Sequence, residues 1–230
     1  MAKIKTWLRN EFWTDYSLFE KLFMVGMVAL QIVVFCITPD SWMNIVAGVS
    51  GVISVVLCAK GKISFYFIGF VQTIICLWLT YDAKLYGEFA ENIFYIGTMI
   101  WGIFVWKKNM TKADSGAKSI KAKKFTWWQW LVAIVVTALA TFGVGLFLQN
   151  IGSNQPYTDA ATNIMAIVAQ LLMIWGFREQ WAWWVVIDLL CIKMWIVAGN
   201  WSMVAMYVAW TINCIYGWVN WSKLSKGEAK

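Results

Sequence analysis

The chain has 230 residues, 61% of them hydrophobic and only 13% charged, with a formal net charge of +7. A soluble domain carries about 25% charged residues, so this composition cannot cover itself with a water-solvated surface, and a bilayer is its natural solvent. The positive charge does not mark a nucleic-acid protein, because Lys and Arg lie in short connectors and at the termini and not on one basic face.

Taken in chain order, residues 4–16 mix Trp7, Leu8, Phe12 and Trp13 with charges and read as a helix on the cytoplasmic interface. Lys3, Lys5 and Arg9 precede the first apolar run, and no A-x-A site follows it, so the run is expected to be retained and not cleaved as a signal peptide. Crossing hydrocarbon takes about 17–25 apolar residues. Eight runs meet that need, at 19–38, 41–59, 63–82, 87–106, 127–149, 159–177, 181–199 and 201–222. The connectors are short except for the basic, polar stretch 107–125, KKNMTKADSGAKSIKAKKF, which divides the chain in half.

Basic residues orient such spans. Lys60 and Lys62, Lys107 to Lys124, Arg178, and Lys223 with Lys226 and Lys230 all fall on the side of Lys3, Lys5 and Arg9, which makes that side cytoplasmic. The other side carries Asp40, Asp82, Lys84, Glu88 and Asp159. Cysteines introduced at Lys60 and Asp159 are therefore expected to react with impermeant reagents from opposite faces; labelling from one face would overturn this orientation.

The halves resemble each other. Asn44-Ile45-Val46-Ala47 matches Asn163-Ile164-Met165-Ala166 at an offset of 119, and Asn92-Ile93-Phe94-Tyr95 matches Asn213-Cys214-Ile215-Tyr216 at 121. Both halves start inside, so the repeat is parallel, an arrangement in which transporters bind substrate at the repeat interface.

Polar groups inside a bilayer are costly and usually face a cavity or a partner. In the seventh span Trp181, Trp184, Asp188, Cys191 and Trp195 recur at steps of three and four and share one stripe, while Trp183 lies across the helix as an interface or lipid anchor. The fourth span carries Glu88, Asn92, Tyr95 and Met99; the third Phe65, Gln72 and Cys76; the sixth Asn163, Ala166, Gln170 and Met173; the eighth Trp210, Asn213 and Gly217. Amides, aromatic faces and an Asp188 without a facing cation suit a flat, cationic ligand bearing hydroxyls. Lys193 is five residues from Asp188, off its face, and snorkels outward.

Blander roles fit other positions. Asn44 and Asn163 read as interhelical glue. Trp127, Trp128, Trp201, Trp218 and Trp221 read as belt residues, and Glu91 as solvated. The five cysteines sit in apolar runs without C-x-x-C spacing and read as small hydrophobes. With no His, His-based metal sites and His-based catalysis are excluded, and with no Cys cluster and dispersed carboxylates an intramembrane enzyme is not expected. A structural membrane protein would not need polar stripes near mid-membrane. There is no P-loop or other nucleotide fingerprint, hence neither ATP drive nor a cofactor is expected.

The segments VLCAKG (56–61), YFIGFVQ (66–72), LYGEFAENIFY (85–95), AQLLM (169–173), REQWAWW (178–184) and NCIYGW (213–218) together resemble the PnuC family of vitamin B3 transporters, over about 41–222. The resemblance implies uptake of nicotinamide riboside across a bacterial inner membrane, with both termini cytoplasmic. It also implies kinship with SWEET transporters and an all-α polytopic fold of two parallel three-helix bundles joined by a linker helix, plus an extra N-terminal helix. The boundaries are then a 1–18 interfacial segment, a 19–106 first half with the first bundle, a 107–126 basic loop, a 127–149 linker helix, a 159–222 second bundle and a 223–230 tail. The family's binding residues correspond here to Gln72, Asn92, Trp181 with Trp184, Asp188 and Asn213. Facilitated diffusion by rocking bundles is the expected mechanism, with net uptake driven by a cytoplasmic riboside kinase. Proton or sodium coupling through Asp188 or Glu88 stays open. A homo-oligomer, a trimer by family precedent, is implied as well.

Overall fold

The computed structural model describes residues 6, 9–14, 16–37, 41–82, 84, 86–112, 118–152, 155–197, 199 and 201–227. Eight long helices lie among them: α1 (Leu18–Ile37), α2 (Trp42–Ala59), α3 (Ser64–Asp82), α4 (Tyr86–Asn109), α5 (Trp127–Asn150), α6 (Pro156–Ile174), α7 (Gln180–Val197) and α8 (Trp201–Lys226). Among the described residues, α1 to α7 are long and apolar enough to cross a membrane. Helix α8 occupies the eighth expected run but falls outside that set, since Tyr207, Thr211, Asn213, Tyr216, Asn220 and Ser222 make it more polar. Of the expected interfacial helix, Thr6 and Arg9 are helical and Asn10–Thr14 form one π-helical turn; Ile4, Lys5, Trp7, Leu8 and Asp15 lie outside the described residues.

The chain divides into two compact units, residues 1–121 with 223–230, and residues 122–222. In the first, α1 packs on α2, α2 on α3 and α3 on α4. Helix α1 opens with a capping box: Ser17 N–H donates to Glu20 Oε2 at 2.6 Å and Glu20 N–H donates to Ser17 Oγ at 3.2 Å. Glu20 also accepts from Lys60 Nζ at 2.9 Å, and that ammonium lies 5.0 Å from the Tyr16 ring centroid. The start of α1 is thereby clasped to the α2–α3 turn. Losing both the cap and a partly buried ion pair in Glu20→Ala is expected to cost about 1–2 kcal/mol, read as a lower thermal midpoint in detergent; an unchanged midpoint would show that the clasp is idle.

The basic stretch between α4 and α5 is not merely a loop. It holds a short antiparallel hairpin, β1 (Met110–Lys112) with β2 (Lys118–Ile120), register Met110 to Ile120. The last residue of β2, Ile120, donates its N–H to Gly61 O at 2.9 Å in the first unit. In the second unit, Lys123 N–H donates to Gly176 O at 2.7 Å. Gly61 and Gly176 both close helices in the left-handed region, at φ 70° and 78°, where glycine has no Cβ penalty. Each ends its helix with the same pair of bonds. Gly61 N–H donates to Cys58 O and Lys62 N–H to Leu57 O, while Gly176 N–H donates to Met173 O and Phe177 N–H to Leu172 O. These partners are 115 positions apart, which corrects the repeat offset of 119 to 121 expected from asparagine tetrads.

In the second unit α5 packs on α6 and α6 on α7. Thr126 N–H donates to Gln129 Oε1 at 2.8 Å, capping α5. Pro156 starts α6, three residues before the expected run, because proline fits the first helical turn without losing a bond. Phe125, Met165, Ala166, Ala169, Leu172, Trp183 and Ile187 form a buried core. Trp183 is therefore a packing residue between α6 and α7, not the interface or lipid anchor expected from its place opposite the Asp188 stripe. Trp221, expected in the interfacial belt, is fully buried, whereas Trp127, Trp128 and Trp201 are exposed as belt residues are.

Candidate functional site

The polar residues singled out above fall into two groups, one in each unit. In the first unit, Gln72 projects from α3 onto α2 at Gly51, where an added Cβ would stand 2.7 Å from its Cδ and Nε2. Only a residue without a side chain lets this amide lie so close. Its neighbour Thr73 is buried, donating from Oγ1 to Gly69 O at 2.9 Å and approaching Met99 Sδ of α4 at 3.7 Å. On α4, Asn92 Nδ2 donates to Glu88 O of its own helix at 2.8 Å, which leaves the amide oxygen for another partner. Glu88 itself is exposed, so the structure joins it to Asn92 through the backbone and not through its carboxylate. Tyr95 OH donates to Glu91 Oε1 at 2.8 Å. Glu91, read as merely solvated, instead orients Tyr95.

In the second unit, Asp188 lies on α7 and is 4% exposed. Its Oδ2 accepts from Cys214 Sγ of α8 at 3.5 Å. Cys214 is thus a polar partner and not only the small hydrophobe expected from its apolar surroundings. Asp188 takes no part in the ion pairs Lys60–Glu20 and Arg178–Glu179, and no Lys or Arg pairs with it among the described residues. Asn213, beside Cys214, is buried, as is Gln170 on α6. Trp184 is half-buried and packs against the α6–α7 core.

Trp181 is buried on the same helix. Its indole lies on α8 at Gly217, where an added Cβ would meet Cε2 at 2.6 Å, and it stands edge-on to Trp221, centroids 5.9 Å apart at 84°. Its Nε1 has no hydrogen-bond partner among the described residues. Just before α7, Arg178 Nε donates to Glu179 Oε1 at 3.0 Å and Nη1 to Ser222 Oγ at 2.9 Å, with the guanidinium 5.1 Å from the Trp218 centroid. Trp218 is therefore a cation–π platform as well as a span-end residue. These contacts clamp the start of α7 to the end of α8, one turn from Trp181.

What the second group offers is a buried carboxylate without a cation, a buried amide and indole faces. A cation with a π surface and hydrogen-bonding groups completes such a set, because an uncompensated buried charge is costly. Sequence reasoning missed Thr73, and although it placed Met99 in the fourth-span stripe it did not see that the two are the counterparts of Asp188 and Cys214 at the offset of 115. Aligning the two glycine turns instead of the asparagines reveals them.

Comparison with known proteins agrees with this picture. Residues 41–223 match the family model described as nicotinamide mononucleotide transporter. The nicotinamide riboside transporter PnuC of Neisseria mucosa is 36% identical over 96% of this chain and 87% of its own. That of Haemophilus influenzae is 36% identical over 95% of this chain and 96% of its own. A crystal structure of the vitamin B3 transporter PnuC superposes with a TM-score of 0.83 at 35% identity, covering 97% of this chain and 98% of that one. With α1 to α7 suited to a bilayer and a family match across most of its length, the chain is a multi-pass membrane protein and belongs to the PnuC family of transporters.

Proposed function

We propose that this protein imports nicotinamide riboside across a bacterial inner membrane by facilitated diffusion, with both termini cytoplasmic. The observation that carries the reading is Asp188: a buried carboxylate, held by a thiol, with no Lys or Arg paired to it. The riboside's pyridinium is a flat cation whose charge and ring suit that carboxylate and the neighbouring indoles. The names of the curated relatives support the same substrate. Among the two substrates named by the family model and by those relatives, the riboside fits better, since a mononucleotide phosphate would bring negative charge to a group lacking a paired cation.

In this proposal Gln72, Asn92, Gln170 and Asn213 pair the carboxamide and ribose hydroxyls, Trp181 and Trp184 stack the ring, and Asp188 balances the charge. Glu88 and Tyr95 line the approach. The helices α2–α4 and α6–α8 act as two repeats that alternate access, with α5 as the linker helix, α1 outside them, and a kinship to SWEET transporters. Net uptake follows from intracellular phosphorylation by a separate kinase, and the protein assembles as a trimer.

Uptake of labelled riboside into proteoliposomes tests the mechanism. Equilibration without any ion gradient is expected, with accumulation only when riboside kinase and ATP are enclosed. Uptake that begins only after a proton or sodium gradient is imposed would replace facilitated diffusion by a coupled mechanism, with Asp188 or Glu88 as the ion site.

A further inference from the structure

The offset of 115 runs through the side chains as well as the turns. Tyr66 on α3 corresponds to Trp181, Gly102 on α4 to Gly217, and Trp106 to Trp221. The geometry repeats with them. An added Cβ at Gly102 would meet the Tyr66 hydroxyl and stand 2.5 Å from Cζ, as one at Gly217 meets the Trp181 indole. Tyr66 stands edge-on to Trp106, centroids 5.3 Å apart at 82°, as Trp181 does to Trp221. Each ring also ends in one buried donor without a partner among the described residues, the Tyr66 hydroxyl and Trp181 Nε1.

For Trp181 the reading above supplies a role for that ring, in stacking substrate. Tyr66 has no such assignment, yet it is fully buried and carries an oxygen that packing does not use. Phe65 beside it shows that phenylalanine suits this aromatic layer, where Phe65 and Tyr66 both contact Trp106. A hydroxyl kept in an apolar layer without a partner weakens the fold, so a packing role alone favours phenylalanine at position 66.

We infer that Tyr66 is a substrate-contacting residue, the counterpart in the first repeat of Trp181. Its hydroxyl donates to an acceptor oxygen of the ligand, a carboxamide or a ribose hydroxyl, once the ring lifts from Gly102. This inference rests on the proposed reading of Trp181 as a substrate contact.

Tyr66→Phe removes one atom and tests it. The expected result is a thermal midpoint equal to or above that of the unsubstituted protein, with riboside Kd and uptake KM raised about tenfold, the loss of one hydrogen bond. Trp181→Phe is measured beside it. If Trp181→Phe weakens binding while Tyr66→Phe leaves Kd and KM unchanged, the inference on Tyr66 falls and the reading of Trp181 stands. If Trp181→Phe leaves binding unchanged, the reading of Trp181 falls, and the inference built on it falls too. A lowered midpoint for Tyr66→Phe would mark the hydroxyl as structural and equally overturn the inference.

Discussion

Replacing Asp188 with Asn is expected to weaken riboside binding by about 3 kcal/mol, roughly 150-fold, while leaving the empty protein as stable as before or more so. The two halves of this expectation have one cause. The carboxylate is almost fully buried and is met by a thiol, not by a cation, so a charge on it is poorly compensated unless a cation binds. An amide has nearly the same shape and keeps an oxygen for Cys214 to donate to. What it lacks is the charge that balances a pyridinium. The reduced riboside, whose ring is uncharged, provides the control. The unsubstituted protein is expected to prefer the cationic form strongly, and the Asn variant is expected to bind the two forms about equally. Equal preference in the unsubstituted protein would remove Asp188 from the site.

The second large effect concerns stability and reverses sign within one helix. Gly97 and Gly102 both lie in α4. An added Cβ at Gly97 meets nothing within 4 Å, so Gly97→Ala is expected to be neutral or to stabilise by up to about 1 kcal/mol through helix propensity. At Gly102 the same methyl runs into the Tyr66 ring, which has Phe65 at 3.9 Å and Trp106 at 5.3 Å between centroids. The ring is fully buried, so the methyl forces it out of its packed place against Phe65 and Trp106. Overpacking there costs about 1–3 kcal/mol, more than propensity returns. Gly102→Ala is thus expected to lower the thermal midpoint in detergent and Gly97→Ala to hold or raise it. Shifts of the same sign would show that the α3–α4 joint is loosely packed.

Much of the helical frame was legible because spans in lipid are set by apolar length alone. All eight expected runs coincide with helices to within a few residues at most ends. The larger misses have local causes. Helix α6 begins at Pro156 and stops before Gly176, both of which are terminus signals that average hydrophobicity passes over. Helix α4 runs on to Asn109 because Lys107 and Lys108 suit a helix C-terminus.

The repeat was visible, but its register was not. The tetrad pair at an offset of 119 differs from the true offset by four residues, about one helical turn, so it falls on the same face and mimics a match, while the pair at 121 is six residues out of register. Backbone turns at Gly61 and Gly176 carry the actual register. Trp183 shows a second limit. One stripe of α7 is polar, and the pattern places Trp183, across the helix from it, at the interface or in lipid. In the structure that face packs onto α6, because a helix inside a bundle has more than one buried side. The Asp188–Cys214 bond joins α7 to α8 across 26 positions, and no periodicity within a single helix reveals it.

The central claim is that these polar residues bind nicotinamide riboside. Calorimetric titration of the purified protein in detergent tests it most directly, with Asp188→Asn, Trp184→Ala and Asn92→Ala measured alongside, each shown to be still folded. The account predicts saturable binding that each substitution weakens, Asp188→Asn the most. The same affinity in all four proteins would contradict it.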